Sequence, residues 1–233
     1  QVTQTCAALL GRVPRTVLPG LIGGLAQRGD TAAAPALVPL VEDADPVIAA
    51  AAIQALARVG NGSCVAALVK AAAHAEEPNR AAALQTLMQI NAPDVSAALL
   101  AQLKTADAAE TAVLARVMGQ RRDEAVGPAL RQLVQNEDAG IRIAAVQALA
   151  ETGAAANAGL LCGVVARAAD DRERVAAKRA LVVLGERLAA PPEFVSAVLA
   201  HLGKEDTALR CAMLGVCGRL RNAELLQALE GAT

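Results

Sequence analysis

Residues 138–153 read DAGIRIAAVQALAETG, and the architecture of the chain can be inferred from this stretch. Its residues on one face at helical spacing are mostly apolar: Ile141, Ala145, Ala148, Leu149 and Thr152. Asp138 precedes them, where a carboxylate can accept from the orphan amides of a helix start. Gly153 follows them and allows the left-handed turn that ends many helices. The stretch predicts an amphipathic helix and leaves open whether Asp138 and Arg142 are a chemical pair or parts of a repeating unit.

Similar stretches recur along the chain. The copies end at Gly29, Gly60, Asn91, Gly119, Gly153 and Gly185, and a seventh copy fits with Arg221 as its terminator. Second amphipathic stretches lie between them, at residues 35–43, 63–74, 94–104, 125–134, 154–170 and 193–203. No segment alternates with a period of two over a useful length. The sequence therefore predicts an internal repeat of two helices, about 31 residues long.

A two-helix unit cannot bury its apolar faces alone, whereas stacked copies can. The sequence therefore predicts an all-α fold, a right-handed α-solenoid of about seven antiparallel helix pairs. It should form a single domain over residues 1–233, cut from a longer protein. The first pair should contain a short, kinked or frayed second helix, because Pro19, Gly20, Gly23 and Gly24 are costly inside a helix.

Composition narrows the functional classes. Lys and Arg number 22 against 23 Asp and Glu, which argues against a protein that mainly neutralises phosphates. No apolar run approaches the roughly 18 residues that span a bilayer, and no signal peptide is visible. The five cysteines, in no CxxC spacing, fit small buried thiols better than a disulfide framework. A cytoplasmic protein without membrane contact is expected, with a secreted or periplasmic protein as the alternative.

The repeated pattern, an acid followed by an apolar residue, an arginine and an Ala-Leu run ending in glycine, resembles the HEAT repeat. It is most similar to the short bacterial form related to phycobilin-lyase-type repeats. The acid position holds Asp45, Glu76, Asp138, Asp170 and Asp206, and the arginine position holds Arg80, Arg142, Arg174 and Arg210. The resemblance implies a HEAT-like or armadillo-type superhelix in which these acids and arginines form a ladder between repeats. It implies little about function.

No residue set favours catalysis, so the chain is predicted not to be an enzyme. His74 and His201 lie near the ends of predicted helices, where they can cap carbonyls. Related metalloenzymes that hydroxylate a lysine derivative use His-Glu pairs, and no such dipeptide occurs here. No metal or other cofactor is predicted, and a bilin pocket would need aromatic walls that this chain lacks.

A basic cluster occurs in the sixth copy, formed by Arg167, Arg172, Arg174, Lys178, Arg179 and Arg187. Acidic residues are interleaved with it, so a solvated helix face is the simpler interpretation. A docking patch for an anionic partner is the alternative. Nucleic acid is not predicted as the partner, because the chain has no Trp or Tyr for stacking on bases.

In the HEAT resemblance, the second helix of each pair lines a concave groove. Positions six and two before each terminator should face it: Gln54, Arg58, Gln85, Gln89, Val113, Val117, Gln147, Glu151, Arg179 and Val183. Gly23 and Gln27 occupy these positions in the first copy. The groove would be largely neutral, with an apolar anchor at Val113 and Val117. Glutamine is also simply a good exposed helix former, which leaves a purely structural alternative open.

The predicted function is a non-enzymatic scaffold that binds a protein, a peptide or a flanking domain of its own chain. An accessory module of a larger enzyme, or a lyase-like chaperone of a cofactor-bearing protein, is the alternative. A structural spacer is the third possibility.

Overall fold

The computed structural model describes residues 2–168, 170–202, 207–220 and 222–230, with the side chains of 124, 208 and 228–230 excepted. All regular structure in these ranges is helical. The α-helices are α1 (Val2–Ala8), α2 (Leu18–Arg28), α3 (Ala34–Leu37), α4 (Pro46–Val59), α5 (Val65–His74), α6 (Asn79–Gln89), α7 (Val95–Gln102), α8 (Ala108–Arg121), α9 (Gly127–Leu133), α10 (Ala139–Thr152), α11 (Asn157–Arg167), α12 (Asp171–Leu188), α13 (Pro192–Leu202), α14 (Thr207–Cys217) and α15 (Ala223–Glu230). Short 3₁₀ turns lie at Arg15–Val17, Thr31–Ala33, Val38–Glu42, Gly62–Cys64 and Glu124–Val126.

The helices form two compact units, Gln1–Val117 and Met118–Thr233. In the first unit the second helices of consecutive pairs, α2, α4 and α6, pack side by side. In the second unit α10, α12 and α14 do the same, and α11 packs against α13. The predicted all-α fold of stacked helix pairs is therefore confirmed. No helix among the described residues is long and apolar enough to cross a membrane.

Aspartates begin several of the second helices. The side chains of Asp45, Asp138 and Asp170 each accept a hydrogen bond from an amide in the first turn of α4, α10 and α12. In α10 this bond joins the Ile141 amide to Asp138 at 3.0 Å. The interpretation of Asp138 as a helix cap is confirmed.

The first pair is more regular than predicted. Pro19 lies in the first turn of α2, where a missing amide hydrogen leaves no bond unmade. The helix then continues for 11 residues through Gly20, Gly23 and Gly24, and it ends at Gly29 in the left-handed conformation. The helix is therefore neither short nor interrupted at these residues.

The terminator of the fourth copy is Arg122, and the assignment of Gly119 is wrong. Helix α8 runs through Gly119 to Arg121, and Arg122 has a φ of 54°. With Arg122 in place, the terminators 29, 60, 91, 122 and 153 follow one another at a constant 31 residues. Gly119 has a different role: a Cβ there would lie 2.5 Å from the Cα of Ala148, so α8 and α10 meet closely at this point.

The core consists of small and medium aliphatic side chains. Leu149 is fully buried, as are Ile53, Leu56 and Leu87, and Phe194 is the one aromatic residue among them. The five cysteines are free thiols. Burial raises the pKa of Cys64 and of Cys217, so both side chains are retained as neutral thiols at neutral pH.

Candidate interaction surfaces

Arg142 links two consecutive repeats. Its Nε and Nη2 each donate to a carboxylate oxygen of Glu173 at 2.8 Å, across 31 residues of sequence. Its Nη1 donates to the carbonyl oxygens of Asn136 at 3.0 Å and Glu137 at 2.8 Å, which fixes the loop before α10. Glu173 is almost completely buried, and this carboxylate raises the pKa of Arg142. The bidentate pair holds α10 against α12.

Arg142 is hydrogen-bonded to Glu173, while the predicted ladder acids Asp138 and Asp170 act on it through their charge alone, which also raises the pKa of Arg142. Asp138 is occupied by the Ile141 amide, and the acid that pairs with Arg142 is Glu173 rather than Asp170. Asp170 likewise caps its own helix. An aspartate that caps a helix is held by the backbone, so the longer glutamate one turn later reaches the arginine instead.

The other predicted ladder arginines act locally or lack a described partner. Arg80 donates to the Ala75 carbonyl at 2.9 Å. Arg174 donates to the Ala168 carbonyl at 2.6 Å and to Asp171 at 2.6 Å. Arg210 is exposed, and its predicted acid Asp206 lies outside the described residues. Arg80 and Arg174 therefore anchor the loop that precedes their helix.

A row of glutamines occupies the outer side of two neighbouring helices in the first unit. Gln54 and Arg58 on α4 are exposed, and so are Gln85 and Gln89 on α6. The buried hydroxyl of Thr86 donates to the Ile53 carbonyl at 3.1 Å, which ties the two helices together beside this row. We call these four residues, Gln54, Arg58, Gln85 and Gln89, the amide surface. All four are exposed on two helices that pack together, and their use as a binding surface stays a prediction.

The apolar anchor predicted on α8 does not exist in that form. Val117 is fully buried, so the prediction that it lines a groove is wrong, and Val113 is half-buried. Counting back from the corrected terminator Arg122 leads to Arg116 and Gln120, and both are exposed. Because the terminator was predicted three residues too early, at Gly119, the offsets selected the more buried Val113 and Val117 as groove residues.

In the second unit the predicted groove residues differ in exposure. Gln147 and Arg179 are exposed, whereas Glu151 and Val183 are half-buried. Glu151 accepts from Arg187 at 3.2 Å, and Arg187 also donates to the Ala150 carbonyl at 3.3 Å. Glu151 is therefore tied to the end of α12.

Helices α12 and α14 enclose a surface groove of about 520 Å³. From α12 it is lined by Val175, Lys178, Arg179 and Val182, and from α14 by Gly215, Val216 and the nearby Arg219. We call it the cationic groove, because three of these residues are cations and none is an acid. Sequence reasoning missed Arg219, although the offset of two from the seventh terminator, Arg221, points to it.

Four of the six residues in the basic cluster of the sixth copy fall into two kinds of cation. Arg174 and Arg187 form ion pairs with Asp171 and Glu151, as expected of a solvated helix face. Lys178 and Arg179 line the cationic groove, where neither forms an ion pair with a described residue. The two interpretations of the cluster therefore apply to different residues within it.

One group of side chains in the first unit could hold a metal ion. His74, Asp107 and Glu110 present one ligand atom each, all within 4.8 Å of one another. The cluster also has an explanation without an ion. The Glu110 amide donates to Asp107 at 2.9 Å and the Asp107 amide to Glu110 at 3.3 Å, a capping box at the start of α8. His74 lies 2.9 Å from the second carboxylate oxygen of Asp107, rather than capping a carbonyl as predicted.

This arrangement predicts the titration of Asp107. The Glu110 amide, with the neighbouring His74, holds the pKa of the Asp107 carboxyl below its ordinary value of 3.8. A lowered pKa stabilises the fold above the unfolded-state value, and that contribution is lost as the pH falls through the folded-state value. We expect His74→Gln to raise the pKa of Asp107 only partly, because the amide bond is the larger cause. Carbon-13 NMR titration measures this; an unchanged pKa in the variant would contradict the assigned role of His74.

The second histidine contacts its own helix. Nδ1 of His201 lies 2.9 Å from the Ala197 carbonyl oxygen, one turn back in α13. This oxygen is not among the last four carbonyls of α13, so the predicted capping of terminal carbonyls by His201 is not shown.

Comparison with known proteins identifies the repeats. A family model described as HEAT repeats matches residues 5–87, 34–112 and 96–182. No curated protein is significantly similar to the chain in sequence.

Several solved structures are similar at low sequence identity. Human deoxyhypusine hydroxylase is 15% identical, with 94% of this chain and 84% of that one covered and a TM-score of 0.38. The complex of CpcE and CpcF of phycocyanin lyase from Nostoc sp. PCC7120 is 16% identical, with 99% of this chain and 94% of that one covered and a TM-score of 0.40. An engineered protein is 17% identical, with 95% of this chain and 97% of that one covered and a TM-score of 0.41.

Proposed function

Because the chain belongs to the HEAT-repeat family, we propose that it is a non-enzymatic scaffold that binds another protein or a flanking domain of its own polypeptide. Repeat solenoids use the extended surface formed by equivalent positions of successive repeats for binding. The amide surface is such a set, since Gln85 and Gln89 follow Gln54 and Arg58 by 31 residues each.

The observation that carries the proposal is the combination of exposure and rigidity at the amide surface. Its four side chains are exposed. The helices that present them are fixed by buried leucines and by the Thr86–Ile53 hydrogen bond. Amide side chains both donate and accept, so a row of them suits the backbone groups of an extended segment. Such a surface would hold a partner in place by hydrogen bonds and would not catalyse a reaction.

The experiment is quantitative affinity capture from an extract of the source organism, followed by mass spectrometry. The bait is the chain as given, compared with the double variant Gln54→Glu, Gln85→Glu. Two added carboxylates should repel the carbonyl groups that wild-type amides can bind. We expect at least one protein to be captured by the wild type and lost with the variant.

The matched control carries the same charge change on first helices, Ala97→Glu with Gln132→Glu, at exposed positions of α7 and α9. It should retain the captured protein. If every captured protein binds the wild type and the amide-surface variant equally, the proposal fails. Circular dichroism and thermal unfolding of both variants establish that they are folded.

A further inference from the structure

We propose that the cationic groove between α12 and α14 binds an acidic, amphipathic helical segment of a partner protein. This inference rests on the proposed scaffold function and adds a second surface, in the other unit, with a partner of defined chemistry. It is carried by three observations: the charge of the groove, its apolar residues and the open space between its walls.

The charged residues that line the groove are all cations, although Arg219 also borders a neighbouring pocket that Glu186 lines. Lys178, Arg179 and Arg219 line it, and no carboxylate does. Two other cations of α12 form ion pairs, Arg174 with Asp171 and Arg187 with Glu151. Three neighbouring cations without an acid raise the local potential and favour an anionic ligand.

Apolar residues flank these cations. Val175 is 58% exposed, whereas Val182 and Val216 form a largely buried floor. Val175 and Val182 are seven residues apart, about 10 Å along the axis of α12, and Lys178 and Arg179 lie between them. A ligand helix with carboxylates between two apolar side chains matches this order of groups.

The groove is open where such a ligand would enter. Gly215 on α14 is exposed, and no atom lies within 4 Å of the position that a Cβ would take. A side chain at this position would project into the groove without displacing the protein. The open space at this point therefore exists because residue 215 is a glycine, and a larger residue at this position would fill it.

The apolar residues favour a peptide over a nucleic acid. A phosphate backbone gains nothing from Val175, and binding of single strands usually uses aromatic stacking. The only aromatic residue of the chain, Phe194, is fully buried. The net charge of −1 also provides no long-range attraction for a polyanion.

The test is fluorescence anisotropy with a labelled synthetic helix of about four turns, bearing a pair of glutamates flanked by leucines one turn away on either side. A second peptide carries glutamine in place of each glutamate, and a single-stranded DNA oligonucleotide of equal charge is the third probe. We expect saturable binding of the glutamate peptide that weakens as sodium chloride rises from about 50 to 300 mM. The glutamine peptide should bind at least about tenfold more weakly.

Variants of the full chain then locate the site. Arg179→Glu with Arg219→Glu should weaken binding at least about tenfold, because attraction becomes repulsion at two positions. Lys104→Glu with Arg131→Glu makes the same change in charge at exposed positions outside the groove and should leave binding unchanged. Gly215→Leu keeps every charge, fills the groove and should abolish binding without lowering the melting temperature, since leucine is the better helix former.

Three results would overturn the inference. They are equal binding of the two peptides, equal loss in the control and groove variants, and tighter binding of DNA than of the glutamate peptide. The last result would assign the groove to polyanions in general. If the peptide fails to bind while capture through the amide surface succeeds, the groove inference alone is wrong and the scaffold function stands.

Discussion

Arg142→Ala is expected to lower the free energy of unfolding by about 3–5 kcal/mol, measured by chemical denaturation. The guanidinium is the ion partner of Glu173, whose side chain is only 3% exposed. Removing it leaves a carboxylate in a site from which water is largely excluded, and the Asn136 and Glu137 carbonyls lose their donor as well. The cost arises from the stranded charge more than from the lost attraction.

Arg174→Ala is the matched control. Arg174 also donates to the preceding loop, at Ala168, and also pairs with an acid, but that acid, Asp171, is 91% exposed. Water can replace the arginine there, so the expected loss is about 1 kcal/mol. The apolar pair Arg142→Met with Glu173→Met should recover most of the stability lost in Arg142→Ala. Equal losses for Arg142→Ala and Arg174→Ala would show that burial of Glu173 is not the cause.

Gly119→Leu is expected to destabilise the second unit by about 3 kcal/mol or more. Its Cβ would lie 2.5 Å from the Cα and 2.6 Å from the Cβ of Ala148, so α10 itself would have to move. A flexible neighbour could rotate away, but a helix backbone cannot. Thermal and denaturant unfolding measure the loss, and Gly119→Ala should already show part of it despite the better helix propensity of alanine.

Gly23→Ala is the control for this prediction. Gly23 also lies inside a helix, α2, but no atom lies within 4 Å of its hypothetical Cβ. Alanine should therefore stabilise the protein by up to about 1 kcal/mol. A stabilising effect at both glycines would contradict the close approach of α8 and α10.

The fold could be predicted because its causes are local. In residues 138–153 the cap, the apolar stripe and the terminator follow from the sequence alone, and each is where it was predicted. The fourth repeat shows where this reasoning fails. Gly119 looks like a helix terminator, yet it permits a close contact with Ala148, while Arg122 takes the left-handed conformation that favours glycine. A glycine can indicate either a helix end or a close helix contact, and only the constant spacing of the repeats distinguishes these two roles in the sequence.

The surfaces were predicted less well, because they depend on which charges are already paired. The exposed glutamines of α4 and α6 follow directly from the repeat offset. Arg142 and Arg179 look alike in sequence, each with acids nearby, but one is bound to Glu173 and the other lines an acid-free groove. Pairing is decided between helices 31 residues apart, which no local pattern records.

The constant interval between terminators has a consequence for the gene. Because each repeat from Gly29 to Gly153 occupies the same length, a block of 31 codons encodes one complete structural module wherever the block begins. Recombination between misaligned copies removes or adds a whole module and leaves the reading frame intact. A duplication or deletion of 31 codons in this region therefore preserves the spacing of the terminators on both sides of the new junction.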